Sequence, residues 1–231
     1  MKRYWNVGIG PAAVAALLWC AMPNSAANAA TPPAAVEDSC DRLVRILLPP
    51  EFLVAIGQKA FDAGIDSAVN RNPDLGQVAR DSPAAFSQAR AESRAELARI
   101  ITERDSVFFA EADRLLTAHL AAGELRPIMT FYATATGRKV AAIGRRVRRD
   151  GGSGETGSYD LLSPTAPPPD ATAADLERLR AFAQTPSAKA LQAQLPALKA
   201  LMLHWLGGVL EDSGPHLRDV LAASLDREAK P

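Results

Sequence analysis

ELRPIMTFYATATGRKV, from Glu124 to Val140, aligns without a gap to DLERLRAFAQTPSAKAL, from Asp175 to Leu191. The two stretches share Leu125/Leu176, Phe131/Phe182 and Thr134/Thr185 outright. They match in kind at Glu124/Asp175, Ile128/Leu179, Thr136/Ser187, Arg138/Lys189 and Val140/Leu191. So few identities carry little weight alone. What joins them is one physical design, a helix, a corner and a second helix. Leu125, Ile128 and Phe131 recur at every third position, as do Leu176, Leu179 and Phe182, so each trio lies on one side of a helix. Thr134 and Thr185 suit an N-cap, where the hydroxyl accepts from a free backbone N–H. Pro186 follows at the first helical position, where its missing donor costs nothing. Small Gly137 and Ala188 allow the new helix close to the old one. Arg138 and Lys189 then face water, and Val140 and Leu191 turn inward.

The chain opens with Lys2 and Arg3, continues through the apolar Val14, Leu17, Leu18 and Trp19, and closes that segment with small residues. This is the pattern of a signal peptide, residues 1–29, cut after Ala27-Asn28-Ala29 and before Ala30. The apolar run is too short for a spanning helix and is broken by Gly10 and Pro11. Bulky Trp19 argues against lipidation of Cys20. The expected location is therefore periplasmic or secreted.

Lysine plus arginine and aspartate plus glutamate both number 26, and removing Lys2 and Arg3 leaves a slight acidic excess. Such a balance gives no global reason to expect nucleic acid as a partner. Of the 2 cysteines only Cys40 survives cleavage, so packing and not an internal disulfide must hold the fold. Cys40 itself is either a small buried hydrophobe or the half of a disulfide between two copies.

The remainder divides into an Ala/Pro tether at 30–35 and a helical domain at 36–229. Asp38 or Ser39 is expected to cap a first helix ended by Pro49-Pro50, and Pro50 to open a second. Asn70 to Leu75 has the composition of a loop. Ser82-Pro83 begins the longest stretch, with Arg99–Glu103 as an i,i+4 pair and a restart expected at Asp105-Ser106. Gly123 is the expected stop. Asp150 to Asp170 is a mobile linker rich in Gly, Ser and Pro, and its GxGxxG at Gly152, Gly154 and Gly157 lacks the flanking strand that nucleotide binding requires. Leu191, Leu195, Leu198, Met202, Trp205 and Val209 then form an alternating seam flanked by Leu201, Leu206 and Leu210. Pro196 is expected to kink or restart this helix, and Gly214-Pro215 to begin a last one. No stretch alternates with period two. The fold class is all-α: a single helical domain with a duplicated helix-corner-helix motif, preceded by a cleavable signal peptide.

Catalytic signatures are wanting. There is no HExxH, no Cys/His cluster, no GxSxG and no Walker loop, so no catalytic, cofactor-binding or metal residue is assigned. His204 and Glu211 share a helical side, but two ligands are too few for a metal site. Arg138, Lys139, Arg145, Arg146, Arg148 and Arg149 form the one dense basic cluster. An anionic partner would use it, and so would a helix C-terminus needing cations; the absence of interleaved aromatics favours the second.

Phe131-Tyr132-Ala133-Thr134-Ala135-Thr136-Gly137-Arg138-Lys139 resembles the FY-x-[ST]-x-x-G-x-K core of an exported bacterial family, a domain of unknown function (number 2059). The likeness takes in the signal peptide, Leu47-Leu48-Pro49-Pro50, the helix before the motif and the echo around Phe182. It implies an all-helical exported protein and brings no activity or cofactor.

The leading functional expectation is a non-enzymatic binding or scaffolding module of the cell envelope. Its candidate partner surface is the basic end together with Trp205, and its candidate partners are a second copy, an envelope protein or a lipid. The rival is an enzyme or metal-dependent hydrolase assembled only in three dimensions from His119, His204, Glu211 or Glu111. Intact mass of the exported protein tests the processing: a chain beginning at or near Ala30 with no acyl group is expected, and Cys20 retained with added lipid mass would refute it.

Overall fold

The computed structural model describes residues 34–146 and 171–228, and their secondary structure is entirely helical. Eight helices are present among the described residues: α1 (Ala34–Leu47), α2 (Pro50–Arg71), α3 (Pro73–Asp81), α4 (Pro83–His119), α5 (Ala122–Ala133), α6 (Ala135–Arg146), α7 (Ala173–Ala183) and α8 (Pro186–Glu228). The all-α expectation holds. The expected signal peptide at 1–29 and the expected linker at 150–170 lie outside the described residues. This all-α chain divides into two compact units.

One unit takes 34–52, 106–146 and 171–202, and so holds α1, the second part of α4, α5, α6, α7 and the start of α8. Its interior is apolar. Leu43, Val44, Phe108, Leu116, Ile128, Leu191 and Leu198 are completely or almost completely buried. Each such side chain contributes about 1.5–3 kcal/mol relative to exposure. Arg45 lies over the ring of Phe109, 4.1 Å from its centroid, and also pairs with Asp41 one turn back.

The other unit takes 53–105 and 203–228. Ile65, Phe86, Ala89 and Leu221 make a core on which Phe61, Val69, Leu75 and Leu225 pack. Gly57 of α2 lies so close to α4 that a Cβ there would fall 2.3 Å from Ile101 Cδ1. Ion pairs tie the helices at the surface of this unit. Arg90 reaches Asp62 and Asp66, each at 2.8 Å, while Arg104 meets Asp212 at 3.1 Å. Arg99 bridges Glu96 and Glu103 along α4, as the i,i+4 spacing anticipates.

Several expected boundaries are corrected, mostly towards longer helices. α1 begins at Ala34, inside the expected tether and ahead of Asp38 and Ser39, because alanine propagates helix better than those residues stop it. The Asn70–Leu75 loop shrinks to Asn72, whose side chain accepts from Asp74 N–H at 3.0 Å and Leu75 N–H at 3.3 Å while Pro73 opens α3. α4 passes through Asp105-Ser106 without a break. Gly123 does not end it; the helix stops at His119, and Gly123 sits in the first turn of α5.

α8 also runs unbroken through both Pro196 and Pro215. A proline inside a helix costs about 3 kcal/mol or more. Here the cost is set against a long row of inward side chains, since Leu195, Leu198, Met202, Leu206, Val209, Leu217 and Leu221 are all buried. Trp205 of the expected seam is only half-buried, and Leu206 takes the inner place.

The two corners meet ring to ring. Phe131 and Phe182 are both buried and stack on each other, centroids 3.9 Å apart and planes 2° from parallel. Tyr132 stands edge-on to both, at 5.4 Å from Phe131 and 6.4 Å from Phe182. Aromatic pairs of this kind add to simple area burial. Phe131→Ala and Phe182→Ala should each cost about 3–5 kcal/mol in urea unfolding. The double variant should cost less than the sum, by about 0.5–1.5 kcal/mol, because either truncation already removes the stack. Strict additivity would show that the rings act independently.

Candidate functional site

The corners and the polar cluster between them are the candidate site, and their local bonding is nearly identical. Thr134 Oγ1 donates to Phe131 O at 2.6 Å and accepts from Gly137 N–H at 3.0 Å. Thr185 Oγ1 donates to Phe182 O at 2.7 Å and accepts from Ala188 N–H at 3.1 Å. Each threonine therefore closes the helix behind it and caps the one ahead, α6 in the first corner and α8 in the second. The helices entering the corners match as well. Glu124 accepts from Ala121 N–H at 2.9 Å, and Asp175 accepts from Thr172 N–H at 3.0 Å.

The spacing rule places the inner residues well. Leu125, Ile128, Leu179, Val140 and Leu191 are buried, and Arg138 and Lys189 are exposed. Leu176 is the exception, half-buried where its counterpart Leu125 is closed off. The corners also differ in closeness. A Cβ on Gly137 would fall 2.1 Å from Phe131 O and 2.6 Å from Tyr132 Cα, both backbone atoms, whereas Ala188 carries its Cβ in a buried place without difficulty. Glycine is required here by proximity.

Asp175 links the two motifs, a role its sequence position does not announce. Besides Thr172 N–H, its carboxylate accepts from Thr172 Oγ1 at 2.9 Å, Thr136 Oγ1 at 2.7 Å and Lys139 Nζ at 2.7 Å. The Lys139 ammonium, with Thr136 and Thr172, holds the Asp175 carboxyl well below the usual carboxylate range. Lys139 thus leaves the expected basic cluster and serves as a tie between α6 and α7. Lys139 Nζ is directed at the Asp175 carboxylate. The arrangement fixes α6 against α7.

The remaining candidates scatter. Arg138 is exposed and donates to the Ala133 carbonyl, closing the end of α5. Arg145 and Arg146 belong to the last turn of α6, and their side chains, with Arg148 and Arg149, lie outside the described residues. His119 and Glu111 belong to one unit, and His204 and Glu211 to the other, where both are exposed on α8. His119 Nδ1 meets Leu115 O at 2.8 Å, and His216 Nε2 meets Glu96 Oε1 at 2.8 Å. Among the described residues no three His, Cys, Asp or Glu side chains converge as metal ligands. Cys40 is a free thiol, fully buried, and burial pushes its pKa up. This is the place the buried-hydrophobe alternative expects, and the sulfur is closed off while α1 stays in position. Tyr132 Oη is buried without a hydrogen-bond partner among the described residues, and burial pushes its pKa far up.

No helix among the described residues is long and apolar enough to cross a membrane. Comparison with protein-family models, with characterised proteins and with solved structures finds no match.

Two outcomes follow from the corner geometry. Gly137→Ala should destabilise by about 3 kcal/mol, the upper part of the overpacking range, because the clashing atoms are backbone. Ala188→Gly should cost only about 1 kcal/mol, the helix-propensity difference. Equal effects in urea unfolding would contradict the difference in closeness. The Asp175 pairing stabilises in full above about pH 4, the ordinary aspartate value, and is lost as pH falls from there towards the lower folded-state value. The stability gap between wild type and Asp175→Asn should therefore narrow on acidification below about pH 4. A gap that stays constant would show that the carboxylate charge is not what holds α6 to α7.

Proposed function

We propose that the protein is a non-enzymatic binding or scaffolding module of the bacterial cell envelope, exported by its N-terminal segment and related to the domain of unknown function (number 2059) that its FY-x-[ST]-x-x-G-x-K core resembles. The observation that carries this reading is where the polar groups of the corners are spent. Thr134, Thr185, Thr136, Glu124, Asp175 and Lys139 all bond to other parts of the same helical frame. A catalytic site keeps its nucleophile and base directed at a substrate, whereas these groups are consumed in holding backbone ends and helix pairs. The internal repeat is, on this reading, a device for rigidity. What remains for a partner is the exposed side of α8 at Leu203, which is 46% exposed.

The enzyme reading competes through residues that different helices would have to bring together. Its strongest pair, His204 and Glu211, lies on one exposed stretch of α8. Native mass spectrometry of the full protein purified from the periplasmic fraction separates the two readings. A co-purifying lipid, protein or second copy that is lost in Leu203→Glu supports the module, since an exposed side chain can be changed without disturbing the core. A stoichiometric transition metal lost in His204→Ala would overturn it.

A further inference from the structure

We draw no further inference here: the strongest candidate, the face of α8 that carries exposed Leu203 beside Gly207 and Gly208, is an unpartnered apolar helix face, and nothing in the structure shows what covers it.

Discussion

Two phenyl rings lying flat on each other set the terms for the unit that contains them. Phe131 lies in the last turn of one short helix and Phe182 in the last turn of another, and the two rings meet because each is the third member of a one-sided trio. A ring so placed cannot move without carrying its corner along, since the threonine three residues on bonds to its carbonyl. Side-chain packing and backbone capping are therefore the same event here. Asp175 adds a directional restraint to the non-directional one: the stacked rings bring α5 and α7 together, and the carboxylate fixes which residues of α6 meet α7.

That combination explains why sequence likeness between the two stretches is faint while their bonding is so similar. Capping demands a hydroxyl at the corner, stacking demands an aromatic three residues earlier, and entry to the helix demands a carboxylate near its start. These positions are constrained in both copies. Others answer to the neighbours each copy meets: Leu176 is half-buried where Leu125 is closed off, and backbone proximity requires Gly137 where Ala188 has room for its methyl.

The corners were legible in the sequence because every signal for them is local. Thr134, Pro186 and the i,i+3 trios act within one or two turns, where periodicity and capping rules apply directly. The errors came where distant packing decides. Pro196, Pro215 and Asp105-Ser106 are sound breakers judged by their neighbours, yet the apolar rows on either side keep α8 and α4 whole. The role of Asp175 was illegible for the same reason: its partners Thr136 and Lys139 stand 39 and 36 residues away. Asp175 also matches Glu124 locally, each accepting from the backbone N–H at the start of its helix. Of the candidate partner surface, Trp205 proved half-buried, and the signal at Leu203 was hidden because exposure cannot be told from a helix that is apolar on several sides.

The path of the chain through its two units bears on how the protein comes into being. The unit built on Ile65, Phe86 and Ala89 has its first pieces within 53–105, but its core is closed by Leu221 from the last helix. Made from the N-terminus onward, that unit must wait for Leu221 before its core is closed. The unit of the two corners, by contrast, has all its parts by residue 202. Until the final segment arrives, the earlier α2–α3–α4 stretch presents unburied Phe61, Ile65 and Phe86 to whatever is nearby. That order leaves the 53–105 part of this unit in need of cover until Leu221 has been made.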